Sequence, residues 1–253
     1  MPRKRVRLVA GKRGRAMNMT IAGLTLRSLL GRKRVWLLLP LPLLLIGLTL
    51  LGHLHDAVAT DWIRPIEQGL GFGVVVPVMA LIIGASVIGS EIDDGTIVHI
   101  LTKPLSRREI LFAKLVVAAA VTTVTTGVTM LIAGAIANGL RFGVGLAVGA
   151  AVASCCYCAL FVALSLVSRR PVLLGLVYIL LWEGLLTHVL TSGGVISIEA
   201  YAVAIADRIG GGSLLDVSVS VRTAVIMAIV FVVGGAWLGI DRLKSFTVAG
   251  ETS

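Results

Sequence analysis

Six uncharged apolar blocks recur along the chain, over residues 35–52, 68–90, 115–140, 143–168, 172–190 and 223–240. The first holds Pro40 and Pro42, and the fifth is interrupted by Glu183 and His188. An α-helix rises 1.5 Å per residue, so crossing a hydrocarbon core about 30 Å thick takes roughly 20 residues. Each block is long enough to be read as one crossing. The strict apolar–polar alternation of a membrane β-barrel is absent. The pattern therefore predicts an all-α polytopic membrane protein with six transmembrane helices.

The cations orient these helices. Nineteen Lys and Arg fall in residues 1–34, 91–114, 169–170 and 242–244, on one side of the spans, against four on the other side: Arg64, Arg141, Arg208 and Arg222. Positive charge accumulates on the cytoplasmic side, so both termini are expected in the cytoplasm. The same asymmetry accounts for the net charge of +10 without any nucleic-acid partner. Composition agrees: 57% of residues are hydrophobic and 14% charged, with a mean hydropathy of +0.99. A soluble domain carries about 25% charged residues, so a soluble enzyme and a disordered tail are both excluded. The location expected is the cell membrane, as a multi-pass protein.

Three domains follow. Residues 1–34 form a cytoplasmic basic tail and an amphipathic elbow helix, residues 35–240 the six-span domain, and residues 241–253 a cytoplasmic tail. In the stretch 17–31, Met17, Ile21 and Leu24 share one helical face, which suits the inner membrane surface before Arg32, Lys33 and Arg34. The segment 2–15 reads as a polybasic arm drawn to anionic lipid. Ala57-Val58-Ala59 after the first block superficially resembles a signal-peptide cleavage site. The basic stretch and the apolar run are both too long for that pattern, so an uncleaved first span is expected.

The segment between spans two and three carries the most local information. Asp93-Asp94-Gly95-Thr96 reads as a turn and helix start, since Asp and Thr oxygens accept first-turn N–H groups. Residues 96–101 supply a short helix that Pro104 ends. Ser106 and Glu109 fit a capping box, with Leu105 and Ile110 as its hydrophobic staple, so a second helix is expected to run directly into span three. The segment is thus a cytoplasmic helical elbow.

The run Glu91-x-x-x-Gly95-Thr96, then Leu101, Pro104-Leu105-Ser106-Arg107, Ile110 and Lys114 resembles the signature of export-type ABC permeases. These are the membrane subunits of the type-2 exporter family, and the branch most similar comprises nitrous-oxide-reductase maturation and peptide-antibiotic export permeases. The chain departs from that signature at Ile92 and Ala113. The resemblance implies a permease that binds no cofactor directly and works with a separate ABC-type ATP-binding subunit carrying ATP and Mg. A second copy, or a similar permease, is implied as well. It also implies coupling to the ATPase through Glu91, Gly95, Thr96, Ile97, Val98, Ile100, Leu101, Pro104, Ser106, Arg107, Glu109 and Lys114. Within that set Ile97, Val98, Ile100 and Leu101 would form the docking face, with Glu91 and Arg107 setting its pose. Without the resemblance, the same segment reads as a solvated connector obeying the inside-positive bias.

The chain has no phosphate-binding Gly-x-x-x-x-Gly-Lys-Ser/Thr run. Gly11-Lys12-Arg13 lacks the second Gly and the hydroxyl, so ATP hydrolysis is expected elsewhere and the chain is not expected to be an enzyme. Glu183 sits near the middle of span five. An intramembrane carboxylate lines a path or pairs structurally across helices; Trp182 and Thr187 join it as candidate substrate-path residues. His53 and His55, near Asp56 and Asp61, read as an ordinary loop rather than a metal site, and Cys155, Cys156 and Cys158 as small core residues. Gly145 and Gly149 have the spacing that lets helices approach closely, within a bundle or across a dimer. Residues 191–220 hold a helix-like stretch over 196–209, either interfacial or re-entrant. Two other functions remain open at this level: a membrane anchor or regulator of an ATPase, and a membrane-embedded enzyme. The enzyme would use Asp93-Asp94-Gly95-Thr96, or Ser86 with His188, neither in a complete motif.

Overall fold

A computed structural model describes residues 39–55, 59–93, 107–168, 170–186, 196–211 and 214–245. These residues are helical with no strand among them. In chain order the helices are α1 (Pro40–Leu54), α2 (Ala59–Ile63), the π-helix π1 (Arg64–Val75), α3 (Val76–Asp93), α4 (Arg107–Asn138), α5 (Leu140–Val167), α6 (Pro171–Val177), the π-helix π2 (Tyr178–Leu186), α7 (Ile198–Gly210) and α8 (Val221–Ser245). The elements α2, π1 and α3 form one continuous rod, as do α6 and π2.

Four helical stretches are long and apolar enough to cross a bilayer: Asp61–Val87, Leu111–Asn138, Leu140–Val167 and Val221–Arg242. Two shorter apolar helices, Pro40–Leu54 and Pro171–Leu185, carry the described parts of the first and fifth blocks. Large apolar side chains stand on the outside, with Leu180 68% and Trp237 64% exposed. In water such surfaces would aggregate. In lipid they cost nothing, because the acyl chains are as apolar as leucine.

Helix α5 is the centre of the bundle. Its Phe142, Leu146, Tyr157 and Phe161 are fully buried or nearly so, and the bundle packs around them. Its N-terminal end turns back from α4 through a single residue, Gly139, at φ 90° and ψ 171°. That conformation is reached almost only by glycine, so the two long helices meet with no loop between them.

Polar groups replace the hydrophobic effect along the α4–α5 seam. Thr122 donates to Ala118 O at 2.8 Å and lies 3.3 Å from Cys158 Sγ. Thr126 donates to Thr122 O at 2.8 Å and lies 3.0 Å from Ser154 Oγ. Each threonine hydroxyl has one hydrogen, already given to its own helix, so Cys158 and Ser154 are the donors across the seam. Such bonds hold helices together in lipid at about 1 kcal/mol each.

The Gly145 and Gly149 spacing has a partner inside the chain. A Cβ added at Gly145 would stand 2.5 Å from Ala206 O and 2.6 Å from Gly210 N; one at Gly149 would stand 2.6 Å from Ala202 O. Helix α7 therefore lies antiparallel on α5, backbone against backbone, through Ala202, Ala206 and Gly210 at the same four-residue spacing. The helix expected over 196–209 is thus buried in the bundle, with Tyr201, Ala202, Ala204 and Ala206 inaccessible.

Candidate functional site

The elbow is bounded by two described helices. Helix α3 is described as far as Asp93, and α4 from Arg107 onward. Gly95, Thr96, Ile97, Val98, Ile100, Leu101, Pro104 and Ser106 lie outside the described residues. Glu91, Arg107 and Glu109 fall on the described helix ends, by their backbone alone. Lys114 is placed in full. It is 4% exposed, and its Nζ donates to Val87 O at 3.3 Å. An ammonium in so apolar a setting needs oxygen partners, and this one fastens the first turns of α4 to the end of α3. The two flanks of residues 94–106 are therefore held together from within the bundle.

Helix α4 runs unbroken for 32 residues, about 48 Å at 1.5 Å per residue. That exceeds a hydrocarbon core of about 30 Å, so its first turns project beyond it. The elbow's second helix and span three are one rigid rod.

Glu183 closes a second junction. It is 1% exposed. Its Oε2 accepts from Ser197 Oγ at 2.6 Å, and its Oε1 accepts from Ile198 N at 2.9 Å and Tyr178 Oη at 3.2 Å. Ser197 in turn caps α7 by accepting from Ala200 N at 3.1 Å. Trp182 Nε1 donates to Ile196 O at 3.4 Å. The carboxylate thus occupies the positive end of α7, where first-turn N–H groups and the helix dipole both favour an anion. The other end is matched by a cation: Arg141 Nε donates to Ile209 O at 3.3 Å. Gly211, at φ 72°, makes the left-handed closing turn, with its N–H on Asp207 O at 3.0 Å. Trp182 and Glu183 come together at α7; Thr187 lies outside the described residues.

Glu183→Ala is expected to destabilise the chain by about 2 kcal/mol, because it leaves buried donors at Ile198 and Tyr178 without an acceptor. Glu183→Gln keeps one acceptor oxygen and should lose less. Thermal unfolding of the purified variants in detergent gives the comparison.

Sequence reasoning passed over several outer residues that hold the same region. Glu67 is fully buried, and Thr49 Oγ1 donates to its Oε1 at 2.7 Å, joining α1 to π1. Gln68 pairs with the backbone of Asp216, accepting from its N–H at 2.9 Å and donating to its O at 3.4 Å. Arg64 Nε donates to Leu214 O at 3.2 Å. The available signal was a charged Arg-Pro-Ile-Glu-Gln run abutting an apolar block, which marks a span boundary as readily as a set of buried ties.

No curated protein matches the chain. A family model described as ABC-2 family transporter protein matches residues 19–238. That stretch contains the elbow, the Glu183 junction and nearly all of the bundle. The chain accordingly belongs to the ABC-2 transporter family, as a multi-pass membrane permease component of an ABC transporter.

Proposed function

We propose that this chain is the permease subunit of an ATP-driven exporter in the cell membrane, with six spans and both termini in the cytoplasm. It moves an amphipathic or hydrophobic substrate, using ATP and Mg bound by a separate ABC-type subunit, and works as a pair with itself or a similar permease. The observation that carries this reading is the tie between the two helices that flank the elbow. With Lys114 tying α4 to α3, a push on residues 94–106 is delivered to two spans together, and the unbroken α4 carries it across the membrane. Residues Glu91, Gly95, Thr96, Ile97, Val98, Ile100, Leu101, Pro104, Ser106, Arg107 and Glu109 supply the contact, and Lys114 supplies the anchor.

The scarcity of charge in the spans supports an apolar or amphipathic cargo over an ion. Mild-detergent purification of the tagged chain from its native membrane tests the reading. An ATP-hydrolysing subunit is expected in equal amount. A chain recovered alone, with no ATPase activity in the preparation, would overturn it.

A further inference from the structure

Two joints in the bundle differ in kind. The first joins α7 to α5, where Gly145 and Gly149 bring one backbone onto the other with no side chain between them. Nothing at this joint can rotate or reach, so α7 and α5 move as one body.

The second joins the α6–π2 helix to the rest. Its inward face is a stripe one residue wide, with Gly175, Ile179 and Glu183 buried at four-residue spacing. Leu81 fills the place of a Gly175 side chain, and Tyr178 meets Phe161 edge-on at 6.3 Å. Tyr178 and Trp182 flank the stripe half-buried, and much of the rest is exposed, including Leu173, Leu180, Leu181 and Leu185. Among the described residues, the polar link from this helix to α7 includes the Glu183 bonds to Ser197 and Ile198 and the Trp182 bond to Ile196.

From this contrast we infer that Glu183 is a positioning residue that latches the α6–π2 helix to the α5–α7 body, and that this latch opens during the ATP-driven cycle. The inference rests on the exporter reading above. An apolar stripe parts from its neighbours in lipid at little cost, because acyl chains replace the contacts it loses. A carboxylate does not. Away from Ser197 and Ile198 it keeps, of these donors, only Tyr178 of its own helix and needs more, and hydrocarbon offers none. The helix therefore separates only when water or a polar part of the cargo reaches Glu183. This links parting of the helices to filling of the path and keeps the joint shut when the path is dry.

The test uses the permease in complex with its ATP-binding subunit, in membrane vesicles, with Cys155, Cys156 and Cys158 replaced by Ala. One variant carries Trp182→Cys with Ile196→Cys, across the latch. A control carries Gln68→Cys with Asp216→Cys, at the exposed contact of π1 with residues 214–216. Both are bridged with a short bis-methanethiosulfonate, without nucleotide and after trapping with ATP and vanadate. The control pair should bridge equally in both states. The latch pair should bridge at least fivefold less after trapping, and bridging it beforehand should block ATP turnover until a reductant is added. A static cap would tolerate the bridge.

Should the latch pair fail to fold, Ile179→Cys reads the same motion, since a water-soluble maleimide should label it after trapping and not before. A trapped ATPase with unchanged bridging, or unchanged labelling of Ile179→Cys, overturns the latch alone. Absence of any vanadate-trappable ATPase overturns the exporter reading, and the latch with it.

Discussion

Gly149→Leu is expected to abolish accumulation of the folded chain. The new Cβ alone would stand 2.6 Å from Ala202 O, and Ala206 Cβ and Phe72 Cζ close the other approaches at 3.0 and 3.1 Å. Overpacking ordinarily costs about 1–3 kcal/mol when neighbouring side chains can shift. Here the nearest obstacle is backbone, so about 3 kcal/mol or more is expected, a large part of the stability of a domain. Gly47→Leu and Gly234→Leu are the matched controls, because a Cβ at either position meets nothing within 4 Å. Detergent size-exclusion of fluorescent fusions should show a single folded peak for both controls and aggregate or no protein for Gly149→Leu. Equal behaviour of all three would mean that α7 does not lie on α5.

Changing Ile100 and Leu101 together to Glu should leave the bundle intact and remove its ATPase. On the docking face proposed above, two carboxylates would each need a partner, and an unpaired buried charge at an interface costs several kcal/mol. At about 1.4 kcal/mol per decade of affinity, recovery of the ATP-binding subunit should fall more than tenfold. The thermal transition of the permease itself should stay put, because the substitutions change no residue of the described bundle. Retention of the subunit in full would place the docking face elsewhere on the chain.

Four of the apolar blocks were legible because lipid demands a long uncharged run for each crossing, and they coincide with the four described helices long enough to cross; the described parts of the first and fifth form shorter apolar helices. Gly145 and Gly149 were legible as a close-packing site, whereas their partner was not. Helix periodicity reports which face is small, and it says nothing about which helix will meet that face. The matching Ala202, Ala206 and Gly210 spacing lay in a segment whose placement the pattern left open.

Glu183 stood out because a carboxylate interrupts an apolar run. Its use as a cap for α7 did not, since Ser197 and Ile198 are reached through the fold rather than along one helix. Glu67 and Gln68 were hidden for the opposite reason. Charge at the end of a block reads as a boundary, and a bond from Gln68 to Asp216 spans 148 positions that no local pattern connects. The elbow was read from capping chemistry and family resemblance; residues 94–106, with Ser106 of the capping box among them, lie outside the described residues.

The hinge at Gly139 bears on how the chain is made. Helices α4 and α5 are adjacent in sequence, joined by one residue, and stitched by Thr126–Ser154 and Thr122–Cys158. Contacts so local form early, so this hairpin is the part of the protein able to enter the bilayer and close as a unit while synthesis continues. Helix α7 starts about thirty residues after α5 ends and must find Gly145 and Gly149 on a hairpin already in place. Until it does, that groove faces lipid, open to any small-residue helix nearby. Assembly thus has a fixed order, and its most error-prone moment is the interval before α7 arrives.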